Sequence, residues 1–238
     1  MIVSGIHPIK EALQSGKTVA KIIVSEDKNI PDAIYREVRA QKIPIYKIPS
    51  EAFKQKYMNE TGLIAIIEDI QYVEMEELLT PPESGFSRIL VIDEIEDPQN
   101  VGAMIRSSVG FNFNGIILTT RRTVTIGDGT VRASAGTLFL QKLARVGNLS
   151  QAMDLMTQRG FWFIGTSVQT NIGIEKVDLQ RNIALIMGNE EKGVRQKILE
   201  KCDYLVKIPI DPVLNSLNVS VAFGILAYEI AKLSKVKG

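Results

Sequence analysis

The chain has 238 residues, 45% of them apolar and 23% charged, with a formal net charge of +1. That is the balance of a soluble globular protein with one large domain or two modest ones, and it offers no global basic field to announce a nucleic-acid partner. One cysteine, Cys202, and one histidine, His7, exclude a disulfide framework, a Cys/His zinc cluster and any Ser-His or Cys-His nucleophile that does not use His7.

No apolar run reaches the length of a membrane span, and the N-terminus lacks the basic start and apolar core of a signal peptide, so a cytoplasmic protein is expected. The charge is uneven. Residues 1–80 carry 10 basic and 12 acidic side chains, and residues 85–238 carry 18 and 14. The excess of cations in the second part is a mild pointer to a polyanionic partner.

In chain order, residues 1–78 read as a small α/β unit. A helix is predicted over 6–13, strands over 20–24, 43–48 and 63–67, and helices over 31–41 and 50–57. Pro31 suits the first turn of its helix and Ser50 is placed to cap the next. His7, alone in GIHPIKEAL, reads as structural or as a peripheral RNA contact. Residues 79–86, which include Pro81-Pro82, have the composition of a linker.

From residue 87 to 238 strands alternate with helices. Strands are predicted over 88–92, 115–118, 142–146, 161–165, 183–187 and 204–210. Helices are predicted over 101–109, 150–159, 194–201 and 216–235, with 131–136 short and helical or irregular. Such alternation implies a mostly parallel sheet covered on both faces. The last helix is apolar on nearly every side, which suits a subunit interface, and Ala222, Gly224 and Ala227 would permit close approach.

Three polar clusters follow strands. DEIEDPQNVG (93–102) places Asn100 as N-cap of a helix that carries Arg106. GNEEKG (188–193) is a turn between glycines that would let backbone approach a ligand. LNSLNV (214–219) brings Ser216 and Asn218 to the start of the last helix, where they could cap it or face a ligand at the carboxyl edge of the sheet. No G-x-G-x-x-G follows the strand at 88–92 and no P-loop is present, so a dinucleotide-binding oxidoreductase is disfavoured.

Together the three clusters resemble the SpoU (TrmH-type) RNA 2′-O-ribose methyltransferases. NVGAMIRS resembles the first motif, IMGNEEKGV the second and IPIDPVLNSLNVSVAFGILAYE the third, with VRASAGTLFLQKLARV between them. The N-terminal GIHPIKEAL and the unit behind it are similar to the RNA-binding domain of RlmB-type rRNA guanosine methyltransferases. Asn59-Glu60-Thr61-Gly62 departs from that group, which usually reads HQG there.

The resemblance implies a SPOUT methyltransferase: a parallel-sheet α/β domain with a C-terminal trefoil knot, preceded by a small α/β RNA-binding domain. It implies S-adenosylmethionine as cofactor, no metal, RNA as substrate and a homodimer through the C-terminal helix. Large-subunit rRNA guanosine is the first choice of substrate. A tRNA, or an RNA-binding module that has lost catalysis, is the alternative. Carried over by motif, the catalytic residues are Asn100, Arg106, Glu190, Ser216 and Asn218. The cofactor residues are Thr166, Gly188, Asn189, Ile208, Leu217 and Asn218. An arginine stays protonated, so Arg106 is expected to clamp phosphate and stabilise the developing oxyanion, and Glu190 to accept the proton.

Overall fold

The computed structural model describes residues 1–58, 61–80, 82 and 85–235. Asn59 and Glu60 of the departing tetrapeptide, and Pro81, Glu83 and Ser84 of the expected linker, lie outside the described residues. The chain forms two compact units, Met1–Gln71 with Thr125–Leu140, and Tyr72–Val124 with Gln141–Gly238.

The first unit holds β1 (Ile2–Ser4), α1 (Ile6–Gln14), β2 (Val19–Ser25), α2 (Asp32–Ala40), β3 (Ile45–Ile48), α3 (Ser50–Tyr57) and β4 (Leu63–Ile67). Its sheet runs β1-β4-β2-β3, with β2 and β3 parallel and the other pairs antiparallel. Ile23, Phe53 and Ile64 pack together beneath α3. Ser50 does not cap that helix. It is the first helical residue, and its hydroxyl donates instead to Asp27, which also accepts from Ser25. His7 is exposed on α1.

The first unit also contains a segment borrowed from the middle of the chain. The main-chain N–H and hydroxyl of Ser4 both donate to Asp128, each at 3.0 Å. At Gly136, whose φ is 88°, a Cβ would lie 2.7 Å from the Cβ of Glu11 and 2.9 Å from the Cα of Pro8, so only glycine fits.

The second unit is a six-stranded parallel sheet. Short α4 (Met75–Leu78) precedes β5 (Arg88–Ile92), α5 (Pro98–Gly110) and β6 (Gly115–Thr119). The chain then visits the first unit, where it forms α6 (Asp128–Ala133). It returns as β7 (Leu143–Val146), α7 (Leu149–Gln158), β8 (Trp162–Thr166), β9 (Ile183–Met187), α8 (Gln196–Leu199), β10 (Tyr204–Val206) and α9 (Val219–Lys235). Every residue of β6 and β9 is buried, the pattern of strands covered on both faces.

One layer packs Met153 and Met156 of α7 and Ile198 of α8 against Ile89, Val91 and Ile186. Leu78 and Leu79 join this core, so residues 72–79 serve the second unit. The other layer is α5 and α9, and Phe113, three residues past the end of α5, meets Phe223 of α9 with centroids 5.4 Å apart in an edge-on pair. Strand order is β10-β8-β9-β5-β6-β7. The chain leaves β5 toward β6 on one side and later builds β8, β9 and β10 on the other. The carboxyl ends of β5 and β9 therefore flank the point where the winding reverses, the place where open α/β sheets receive ligands.

Candidate functional site

At that point Ile92 of β5 lies beside Met187 of β9. The loops that follow, 93–97 and 188–195, leave the sheet side by side. Their first tie is main chain to main chain, Asp93 N to Met187 O at 2.9 Å. The second is ionic. Arg195 reaches back to Asp93 through Nη2 at 2.6 Å and Nε at 2.9 Å, and its Nη1 lies 3.5 Å from Glu94. Asp93 is 1% exposed, and burial pushes its carboxyl above the usual carboxylate range while the hydrogen bonds from Arg195 pull the other way. The same pairing holds the Arg195 guanidinium above its ordinary value.

Asn189 builds the second loop with its own side chain. Its Oδ1 accepts from the main chain of Glu191 and Lys192, and its Nδ2 donates to Glu94 O at 3.2 Å. Gly188 is the hinge of this turn, because a Cβ there would sit 2.3 Å from the main chain of Gly193 and Val194. The loop thereby presents Glu190.

The helix after the first loop starts earlier than its sequence suggested. Asp97 is the N-cap of α5, its carboxylate accepting from Gln99 N at 2.9 Å, with Pro98 in the first turn. Asn100 is therefore not the cap. It stands one turn in, 9% exposed, and its side chain is free for the site. Likewise β10 stops at Val206 and α9 begins at Val219, leaving 207–218 as irregular chain. Asn218 caps α9, its Oδ1 accepting from Ser220 N, Ser220 Oγ and Val221 N. Ser216, the other expected cap, is exposed.

These backbone donors settle the amide orientations, because a main-chain N–H can only donate. With Oδ1 committed to the helix, Asn218 must offer Nδ2, which donates to Asn100 Oδ1 at 2.9 Å. Asn100 must then offer its own Nδ2, which donates to Glu190 Oε1 at 2.9 Å. The amino end of α9 thus orients a chain of three side chains, one from each polar cluster, that terminates on a carboxylate. That carboxylate keeps a second oxygen for another donor.

A cavity of about 540 Å³ opens here, with Asn100, Asn189, Glu190, Glu94 and Arg122 in its wall. Arg122 is a lining residue that the motif reading missed. Its left-handed backbone cannot be foreseen from its residue type. Arg106 is exposed on α5, six residues beyond Asn100, and is not among the lining residues.

The expected cofactor residues lie at the end of strand β8 and after strands β9 and β10. Thr166 closes β8, Gly188 follows β9, and Ile208 and Leu217 stand in the irregular chain between β10 and α9. Ile208 and Leu217 are half-buried, and among the described residues their main-chain N–H groups find no acceptor. Apolar side chains beside unspent main-chain donors suit the face and edge of a purine. The described residues hold no cluster of His, Cys, Asp and Glu fit for a metal ion, and no helix of the described chain is long and apolar enough to cross a membrane.

The chain resembles known proteins over nearly its whole length. The family model described as the SpoU rRNA Methylase family matches residues 87–228, and that described as RNA 2′-O ribose methyltransferase substrate binding matches residues 2–73. A protein of Staphylococcus aureus (strain MSSA476), named for the TrmH family of tRNA/rRNA methyltransferases, is 29% identical over 236 residues, 96% of this chain and 94% of that one. The similarly named YacO of Bacillus subtilis (strain 168) is 30% identical over 233 residues, with the same coverage. Among solved structures, the SpoU methyltransferase AviRb from Streptomyces viridochromogenes superimposes with a TM-score of 0.86 at 21% identity, over 100% of this chain and 90% of that one. An AdoMet-bound rRNA methyltransferase from Sinorhizobium meliloti does so at 0.82 and 21% identity, over 98% and 87%. These structural likenesses establish the fold.

Proposed function

This chain belongs to the SpoU rRNA methylase family of RNA methyltransferases, and from that premise we propose that it transfers a methyl group from S-adenosylmethionine to a ribose 2′-hydroxyl of RNA. The observation that carries the reading is the hydrogen-bonded chain Asn218–Asn100–Glu190 at the winding reversal of the sheet. Bound S-adenosylmethionine would supply an electrophilic methyl on a sulfonium, and the protein supplies position and electrostatics. Thr166, Gly188, Ile208 and Leu217 would hold it.

The ribose hydroxyl is a weak nucleophile while it keeps its proton. As the oxygen–carbon bond forms and the sulfur–carbon bond breaks, that proton must leave. Glu190 takes it on the oxygen that Asn100 does not occupy. Asn100 fixes the carboxylate, and Asn218 fixes Asn100. Arg106, outside the cavity, is assigned to RNA phosphate.

Large-subunit rRNA guanosine is the proposed target. The substrate-binding match at 2–73 supports an RNA substrate, and the relatives' names span tRNA and rRNA. We assign the cytoplasm as the compartment, a knotted thread for the chain from β9 to α9, and a homodimer through α9. The dimer is supported by the outward stripe of Val221, Ile225 and Tyr228, which are 50%, 39% and 50% exposed. The test is to map ribose methylation across total RNA with and without this gene. Loss of one 2′-O-methyl in large-subunit rRNA is expected. Loss confined to a tRNA would redirect the substrate, and an unchanged map in every RNA would overturn the activity.

A further inference from the structure

The cavity beside Asn100 and Glu190 has the wrong charge for an RNA substrate. Five of its lining side chains are carboxylates and only two, Arg122 and Lys192, are cations. A phosphodiester brought to Glu190 meets repulsion from that wall unless a cation stands at the contact. Lys192 is a compact, strongly hydrated ammonium on the exposed side of the 188–195 loop. Arg122 offers a planar fork suited to two phosphate oxygens at once. It is exposed, and among the described residues it forms no ion pair. Arg195, by contrast, is spent on Asp93 and Glu94.

The backbone at Arg122 adds a second, independent observation. Its φ is 50°, in the left-handed region that costs an L-residue energy. The turn around it is built by hydroxyls. Thr119 and Thr123 bond each other at 2.8 Å, and the hydroxyl whose proton that bond leaves free donates to the carbonyl of Arg121, which lies within 3.4 Å of both oxygens. Val124 N then closes the turn on Ile95 O. Glu94, also in the cavity wall, has φ 58° and is held by Thr119 through its main-chain N–H. Two strained residues thus face one cavity, anchored by the same threonine. Strain of this kind gathers where a side chain must be aimed. Glycine would hold this backbone at lower cost, so what arginine adds at position 122 is its side chain.

We propose that Arg122 grips the RNA phosphodiester next to the reacting ribose, a substrate-binding role that rests on the methyltransferase reading above. Arg122 draws the backbone into a cavity that otherwise repels it and sets the ribose against Glu190.

The strained backbone provides an unusual test, since Arg122→Gly should relieve strain while removing the grip. Four quantities are measured on the full chain: the melting temperature, S-adenosylmethionine affinity by calorimetry, and the binding and the methylation of rRNA prepared from cells lacking this gene. For Arg122→Gly the melting temperature is expected to stay or rise. The KM for RNA is expected to rise about tenfold, more than kcat falls, and the salt dependence of log K to flatten by about 0.7 to 0.9 for the one lost phosphate contact. Arg122→Lys and Arg122→Gln keep the Cβ and its strain and differ in charge, so a lower KM for Lys than for Gln is expected even if the glycine variant folds poorly. Equal KM for Lys and Gln would overturn the proposal, as would RNA affinity within twofold of wild type for Gln. A parallel loss of S-adenosylmethionine affinity would move the anion from RNA to the cofactor carboxylate and equally overturn it. A wild-type protein that binds this RNA but never methylates it would instead count against the methyltransferase reading and leave the binding comparison decisive for Arg122.

Discussion

Asn218 and Asn100 lie 118 residues apart in the chain, yet the Nδ2 of the first donates to the Oδ1 of the second at 2.9 Å. The direction of that bond is imposed by the amino end of α9, whose main-chain donors occupy the Asn218 oxygen. A helix cap and the orientation proposed for catalysis are therefore one interaction, and the two can be separated by substitution. Asn218→Asp keeps an acceptor for the helix but cannot donate to Asn100. Its stability in urea is expected to match wild type, with methylation reduced ten- to a hundredfold. Asn218→Ala loses both, with about 1 kcal/mol of stability gone along with the activity. Equal activity in Asn218→Asp would remove the chain of amides from the mechanism.

The pair Asp93–Arg195 is asymmetric, because the carboxylate is buried and the guanidinium is 42% exposed. Asp93→Asn leaves a cation that water can still reach, at a cost of about 1 kcal/mol. Arg195→Ala leaves a buried carboxylate with its best partner gone, at a cost of about 2 kcal/mol or more. Burial already holds the folded Asp93 carboxyl above its ordinary 3.8, and removing Arg195 pushes it further. A group so raised supports the fold only while protonated. The deficit of Arg195→Ala is therefore full at neutral pH and shrinks as pH falls toward the folded value. Urea midpoints at pH 7.5 and pH 5 measure it, and a deficit that grows on acidification would contradict the burial argument.

Two glycines should answer oppositely to alanine. At Gly188 the added Cβ would lie 2.3 Å from main-chain atoms of Gly193 and Val194. The loop that presents Glu190 must then move, at a cost of about 2 kcal/mol or more and with loss of methylation. At Gly224 in α9 the nearest atom is Ser107 Oγ at 3.9 Å, ordinary contact. Gly224→Ala should gain about 0.5 to 1 kcal/mol from helix propensity. Thermal melts of the two variants check both.

Burial pushes the Cys202 thiol from 9.0 up to about 12, and its Sγ lies 3.3 Å from Ile198 O. At pH 8 the folded protein then holds roughly a thousandfold fewer thiolates than the unfolded chain. Iodoacetamide should label native protein at least a hundredfold more slowly than urea-unfolded protein. The sign for stability follows. The contribution is complete below pH 9 and is lost as pH rises toward about 12.

The exposed stripe on α9 predicts its own outcome. Ile225→Glu puts a charge at the centre of the Val221–Ile225–Tyr228 face, so sedimentation should show a shift from dimer to monomer with the helix intact. A wild-type protein already monomeric at high concentration would contradict the interface.

Much of the fold was legible because its central strands are continuous apolar runs. The strands at 63–67, 88–92 and 183–187 have the bounds that periodicity predicts. What periodicity misses is decided by distant partners. Residues 207–210 look like strand, but Lys207 N bonds Ile172 O and β10 ends at Val206. β1 is three residues long and exists by pairing with β4. At the start of α5 the signal was present in Asp97-Pro98 and was outweighed by Asn100, which the site needs elsewhere. Asn100, Glu190 and Asn218 could be named as one motif set, but their hydrogen-bond order depends on helix geometry. Arg122 carries no local mark, since its left-handed backbone is set by Thr119 and Thr123 on either side.

The loan of Thr125–Leu140 to the first unit changes what counts as a module. The chain passes between the units three times, so no single cut yields two complete pieces. A fragment ending at Gln71 would leave Ser4 without Asp128 and Glu11 facing the space that Gly136 fills. Anyone grafting the first unit onto another methyltransferase has to transplant two stretches of sequence together, the first seventy-one residues and the sixteen that return from the middle of the chain.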